Sequence, residues 1–256
     1  LRLDLPELRE MISLLRRCSG NLNQIEFAKT SNTAIIGAYA FARNSNLQIT
    51  LPASVTSIGK YSFAYCVNIK IDISKTKIRI IPDYAFYECD NLHELITPKT
   101  LEKVGAYVFY GCNNLNEVKF LGKTLKEIGT GAFKTCDNLH VIDVPEGVTK
   151  IANGTFDGCH NLNTIKLPDS LKNIGDNAFK NCKKLKTVKL GSNIKSIGKN
   201  AFSGCKKLTG VTLNAKLTTI GNGAFTKCIA LKKITIPAKV TKIGSKAFYG
   251  DSKLKT

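Results

Sequence analysis

The stretch Gly129–Ile151, GTGAFKTCDNLHVIDVPEGVTKI, is one copy of a unit that fills most of the 256-residue chain. Aligned on Phe133, which like most of its counterparts follows an Ala, the unit recurs at ten positions: Phe41, Phe63, Phe86, Phe109, Phe133, Phe156, Phe179, Phe202, Phe225 and Phe248. The spacings are 22, 23, 23, 24 and then 23 five times. A fixed period in this range indicates a stacked array of coils rather than a globule around one closed core.

Apolar residues keep fixed offsets from the Phe. Five before it stands an aliphatic residue, from Ile36 to Ile243, and eight before it is usually another, as in Val55, Val148 and Leu171. Three after it stands Cys, in eight consecutive units from Cys66 to Cys228, and six after it Leu or Ile, from Leu47 to Leu254. The next segment alternates apolar and polar, as in Val188-Lys189-Leu190, Val211-Thr212-Leu213 and Ile234-Thr235-Ile236, often closed by a Pro such as Pro145, Pro168 or Pro237. That is strand period followed by a stop signal. A Gly often sits four before the Phe, as at Gly59, Gly129 and Gly198, which suits a turn with positive φ. One unit alone has nothing to bury its apolar stripe against, whereas stacked copies supply each other's core. Ten coils with paired strands would form a curved rod of roughly 50 Å.

These residues resemble a known family. Leucine-rich repeats run Leu-x-x-Leu-x-Leu through a strand, which Leu162-x-x-Ile165-x-Leu167 and Leu185-x-x-Val188-x-Leu190 match. With its Pro, Ile-Gly, Ala-Phe and Cys, the pattern is similar to the BspA-like branch, over about Ile36 to Leu254. The resemblance implies a β-rich repeat solenoid: a right-handed coil stack with a parallel concave β-sheet, and short second strands and turns on the convex side. It also implies the role common in that branch, in bacterial and protozoan surface proteins that adhere to host or microbial partners, so an extracellular or cell-surface location is expected. The Asn that usually follows the strand in leucine-rich repeats is absent at its normal offset, so this is a variant coil.

The unbroken period argues for one solenoid domain over residues 1–256, with a cap and degenerate coil at 1–30 and about ten repeats at 31–256. Asp4, Pro6 and the one-sided Leu8, Met11, Ile12 and Leu15 predict a short N-terminal helix that covers the first coil's apolar edge. An amphipathic membrane or partner helix is the alternative reading. The N-terminus lacks Met, a basic n-region and an apolar h-region, so a secretion signal is absent from this sequence or already removed. No apolar run approaches the ~20 residues needed to span a bilayer. The last unit ends at Thr256 before its strand is written, so the natural protein is expected to continue or this edge to pair with something.

The net charge of +19 is unevenly spread. Residues 1–176 hold 20 Lys+Arg against 18 Asp+Glu, whereas residues 177–256 hold 18 Lys and a single acid, Asp251. Such a segment either keeps an extended solenoid soluble or meets an anionic partner. Cysteines recurring once per coil point the same way in each coil, which suits packing as small buried hydrophobes and not bridging. There is no C-x-x-C, and His93, His140 and His160 form no ligand cluster, so no metal and no cofactor is expected.

Several surface rows are readable. Asn occupies position five after the Phe in six coils, from Asn46 to Asn161, and then yields to Lys184, Lys207, Ala230 and Lys253. The Asn row reads as a structural ladder. The strands of the first two coils, Leu47–Leu51 and Ile69–Ile73, begin one residue early. Outward-pointing strand pairs run Glu117/Lys119, Val141/Asp143, Thr164/Lys166, Thr187/Lys189, Gly210/Thr212 and Lys233/Thr235. Candidate binding residues on this face are Lys119, Lys166, Thr187, Lys189, Thr212, Lys233 and Thr235, and on the basic turn edge Lys183, Lys184, Lys206 and Lys207. Tyr39, Tyr61, Tyr65, Tyr84, Tyr87, Tyr107, Tyr110 and Tyr249 lie beside the Phe, as a second candidate surface or as padding of the convex side.

Catalysis finds no support: nucleophile elbow, metalloprotease helix, phosphate loop and dinucleotide glycines are all missing. The expected function is a non-catalytic adhesion module that binds a protein ligand or an anionic polysaccharide. Two alternatives stand beside it: a structural spacer in a larger protein, and unspecific polyanion or nucleic-acid binding by the basic coils. Against specific nucleic-acid recognition, the segment 177–256 has no Arg and few aromatics for bases to stack on.

Overall fold

Period and alternation together wind the chain into a parallel β-solenoid. The computed structural model describes residues 2–3, 24–27 and 34–255. Strands fall in two rows. The first holds β1 (Arg2–Leu3), β2 (Gln24–Phe27), β4 (Gln48–Thr50), β6 (Lys70–Asp72), β8 (Glu94–Thr97), β10 (Glu117–Phe120), β12 (Val141–Asp143), β14 (Thr164–Lys166), β16 (Thr187–Lys189) and β18 (Gly210–Thr212). The second holds β3 (Ala34–Ile36), β5 (Val55–Ile58), β7 (Ile80–Ile81), β9 (Lys103–Val104), β11 (Glu127–Ile128), β13 (Lys150–Ile151), β15 (Asn173–Ile174), β17 (Ser196–Ile197), β19 (Thr219–Ile220) and β20 (Lys242–Ile243).

Every pairing is parallel, and apart from a register shift between Ala34 and Ile35 in β3–β5 each joins equivalent residues of neighbouring coils, such as Ile151↔Ile174 and Val188↔Val211. The short second-row strands β7 to β20 form one eight-stranded ladder, whereas the first row divides into β1-β2-β4-β6, β8-β10, β12-β14 and β16-β18. The break between β6 and β8 falls where the strand start moves from seven to eight residues after the Phe, at Lys70 and Glu94. That is the early alternation expected of the first two coils.

The third side of each coil is the Phe turn. The ten rings stack with centroids 5.1 to 5.7 Å apart and interplanar angles of at most 20°. Phe41 to Phe225 are fully buried. Two residues before and two after each Phe the backbone is left-handed in all ten coils, whether the residue is Gly131, Tyr84, Asn200 or Lys246 before it, or Gly158, Arg43, Thr135 or Lys227 after it. This alternation divides the amides. Every other N–H closes a bond inside its own turn, as Cys159 to the Phe156 carbonyl at 3.1 Å. The intervening ones donate to the next coil: Gly154 to Asp176, Phe156 to Ala178 and Gly158 to Lys180, each at 2.8 Å. The turn's backbone polarity is thereby satisfied without water.

The glycines four before the Phe are not the left-handed residues, contrary to the expectation from sequence. They are needed because neighbouring coils touch there. A Cβ on Gly59 would lie 2.3 Å from the Ala38 amide nitrogen, and one on Gly129 2.6 Å from the Gly105 carbonyl carbon. The eight cysteines from Cys66 to Cys228 are buried free thiols, as their spacing implied. They also do more than pack: each Sγ from Cys66 to Cys228 donates to the Phe carbonyl of the preceding coil, at 2.9 to 3.2 Å.

Residues 2 and 3, ahead of the expected capping helix, are extended and pair with β2, Arg2 to Glu26 and Leu3 to Phe27. The expected helix itself, from Asp4 onward, lies outside the described residues. One further expectation is corrected. The alternation Ile234-Thr235-Ile236 forms no regular strand. No coil covers its outer edge among the described residues, and Ile236 is exposed and not buried.

Candidate binding surfaces

The first-row face carries short strands of two outward side chains each, because the pleat sends the central Ile or Val inward. Lys119, Lys166, Thr187, Lys189, Thr212, Lys233 and Thr235 are all exposed on it. Five of these seven come together: Thr187, Lys189, Thr212, Lys233 and Thr235 line one open cavity of about 670 Å³, floored by Val188, Val211, Leu213 and Ile234. Lys119 is held apart by an ion pair with Glu117 at 3.1 Å. Lys166 lies in a smaller cavity of about 320 Å³ that also contains Glu146 and Asp169.

The basic turn edge adjoins this face. Lys183, Lys184, Lys206 and Lys207 are exposed, and the Lys207 amide donates to the Lys183 carbonyl at 3.2 Å, which stacks the two pairs on successive coils. The six ion pairs among the described residues all involve residues up to His160, and none engages a lysine of 177–256. The segment's single acid, Asp251, is buried.

On the same edge the Asn row forms the ladder read from sequence. Each side-chain amide donates to the Asn one coil back, from Asn68 to Asn46 at 2.9 Å through to Asn161 to Asn138 at 3.1 Å. The basic edge begins where this ladder ends.

The tyrosines form two stacked columns. Tyr39, Tyr61, Tyr84 and Tyr107 follow at centroid distances of 4.9, 4.7 and 5.4 Å. Tyr87 and Tyr110 stack at 4.9 Å, and Tyr65 meets Tyr87 edge-on. Because the faces cover one another, the columns offer ring edges and hydroxyls. Tyr39 and Tyr65 are the more exposed members, and the Arg43 guanidinium lies over the Tyr65 ring at 5.5 Å.

Two features escaped the reading of the sequence. Asp251 occupies the offset that Cys holds in the eight coils before it. One of its oxygens accepts from the Cys228 amide at 2.7 Å, and the other is buried without a partner. Burial pushes its carboxyl up to about 6. The second is the notch at Gly210, in a row where the two preceding coils have Thr164 and Thr187. Asp251 was signalled as a departure from the Cys column, whereas the position of Gly210 varies from coil to coil, as Glu117, Val141, Thr164 and Lys233, and signalled nothing. Among the described residues no group of three His, Cys, Asp or Glu is placed to hold a metal ion, and no helix is long and apolar enough to cross a membrane.

Comparison with known proteins agrees with this architecture. A leucine-rich repeat protein from Bacteroides ovatus is similar at 25% identity with a TM-score of 0.56, over 87% of this chain and 81% of that one. The T. pallidum leucine-rich repeat protein is 27% identical with a TM-score of 0.57, over 74% and 79%. The pneumococcal vaccine antigen PcpA, at 22% identity and a TM-score of 0.59 over 93% and 71%, shares the fold. No curated protein matches the chain significantly. The model of the BspA type leucine-rich repeat region matches in 6 copies, over residues 15–140 and 126–255, and the chain belongs to that family.

Proposed function

We propose that this chain is a non-catalytic binding module of a cell-surface or secreted protein, and that its basic coils hold an anionic polysaccharide. The observation that carries the reading is the uncompensated charge. Eighteen lysines in residues 177–256 face one acid, which is buried, and none of them forms an ion pair among the described residues. Lysines kept only for solubility need no such segregation, since mixed charges serve that end in residues 1–176. Family membership supports a surface location and a binding role.

The test is retention on immobilised heparin against a cation exchanger of matched charge. Retention well beyond the exchanger is expected, falling steeply with salt. Changing Lys183, Lys184, Lys206 and Lys207 together to Ser is expected to remove most of the excess. Retention that only tracks net charge overturns the reading and leaves a spacer role or unspecific polyanion binding.

A protein ligand is a second reading, favoured by the tyrosine columns, since Tyr and Arg dominate protein hot spots. Tyr39 and Tyr65 changed to Ala would then abolish adhesion to a protein-coated surface and leave heparin retention unchanged.

A further inference from the structure

The cavity over Gly210 has a composition that the other grooves of the strand face lack. The groove at Glu117, Lys119 and Asp143 contains both signs of charge and an internal ion pair. The groove at Lys166 and Lys189 includes Glu146 and Asp169. Around Gly210 the only charged lining residues are Lys189 and Lys233, and neither has an ion-pair partner among the described residues.

Its hydroxyls are also unengaged. Elsewhere in these coils threonines are tied to the preceding coil, as Thr209 to the Lys186 carbonyl at 3.1 Å and Thr218 to the Lys195 carbonyl at 3.0 Å. Thr187, Thr212 and Thr235 make no such bond among the described residues, although all three line the cavity. The gap exists because of one residue. The first outward positions of successive strands run Thr164, Thr187, Gly210, Lys233, and a Cβ built on Gly210 meets nothing within 4 Å. A side chain there would stand in the middle of the cavity.

We infer that this cavity binds a single acidic sugar unit, a pyranose carrying a carboxylate or sulfate. The two ammonium groups take the anion, the free threonine hydroxyls bond the ring hydroxyls, and the apolar floor takes the C–H face. Its volume of about 670 Å³ lies within the usual range for small-ligand sites. The rim lacks the Trp, Tyr and Arg of a protein hot spot, which favours a sugar over a peptide. The inference rests on the polysaccharide reading and gives it a specific subsite.

The experiment titrates the 256-residue chain with a heparin-derived uronate–glucosamine disaccharide, with neutral cellobiose and with triglutamate, following strand-face backbone resonances. The disaccharide is expected to saturate and shift the amides of Thr187, Gly210 and Thr212, while the other two leave them unmoved. Gly210→Thr places the residue of the two preceding coils into open space, so the fold is retained. It is expected to weaken the disaccharide at least tenfold and to lower retention of full-length heparin less than the loss of the turn-edge lysines does. The quadruple Lys-to-Ser variant of the turn edge is expected to do the reverse. Unaltered disaccharide binding by Gly210→Thr, or equal binding of cellobiose, overturns the subsite alone. Tighter binding of triglutamate replaces the sugar with an acidic peptide and overturns the inference. Loss of heparin retention specificity in the unmodified chain overturns the polysaccharide reading instead.

Discussion

At the residue scale, the core is a set of columns, and each column has its own physics. Phe179 stacks between Phe156 and Phe202 with no exposed surface. Phe179→Ala is expected to destabilise by ~3–5 kcal/mol in urea unfolding, and the same change at half-buried Phe248 by less. The thiols are held un-ionised by burial, which pushes Cys66 up to about 12 and Cys159 higher still. Since the thiolate is the reactive form, iodoacetamide should label the native chain's Cys66–Cys228 thiols at under a hundredth of the unfolded rate. Asp251 behaves oppositely to a paired carboxylate. Burial raises it from 3.8 to about 6, so the folded chain holds the proton more tightly than the unfolded one. Its contribution is complete below about pH 4 and is lost as the pH rises through 6. The terminal coil should therefore lose up to about 3 kcal/mol across that window, a loss that Asp251→Asn flattens. The positions of Phe and Cys were legible because each fills the same volume once per period. The thiol bond was not, since Cys and any small apolar residue leave the same mark on the pattern.

At the scale of elements, strands and turns differ in how openly the sequence states them. The strand positions followed from alternation, and even the early start of β4 and β6 was visible in Leu47–Leu51 and Ile69–Ile73. The Phe turn was misread at its glycines. Gly129 keeps an ordinary φ and is needed for coil contact, while residues as unlike as Tyr107, Asn177 and Lys246 adopt the left-handed conformation. Gly or Asn, the residues that favour it, fill half of these positions; at the others the array imposes the conformation through bonds to the next coil. Gly129→Ala, with backbone 2.6 Å from the new Cβ, is expected to cost more than about 2 kcal/mol. The rigid turn cannot relax as a flexible side chain would. The Asn ladder was legible as a column of one residue type. Asn91→Ala removes one donor and one acceptor from it and is expected to cost about 1–2 kcal/mol, read in the same urea experiment.

Over the whole molecule, stability accumulates from neighbour to neighbour, so protection should grade along the stack. Amide exchange of Phe156, which bonds Ala178, is expected to be among the slowest, and that of Phe248, with no acceptor among the described residues, among the fastest. Architecture was legible at this scale because the period repeats ten times. The binding surface was less so. Exposed positions carry no packing constraint, and the cavity at Gly210 arises from what one coil omits. The Phe turns also add something that neither composition nor burial expresses. In coil after coil their cross-coil N–H groups all aim toward the C-terminal end, as Phe133 to Thr155, Phe156 to Ala178 and Phe179 to Ala201. The second strand row and the Asn edge aim the opposite way, as Lys172 to Thr149, Gly175 to Ile151, Asn161 to Asp137 and Lys184 to His160. Each peptide contributes ~3.5 D, so opposite sides of the coil carry opposed rows of dipoles. The solenoid is therefore electrically sided across its width, with amide hydrogens pointing to the C-terminal end along the Phe turns and to the N-terminal end on the sides facing them. Near an acidic surface it is the uneven lysine charge, and not a backbone dipole along the rod, that would turn the C-terminal coils inward.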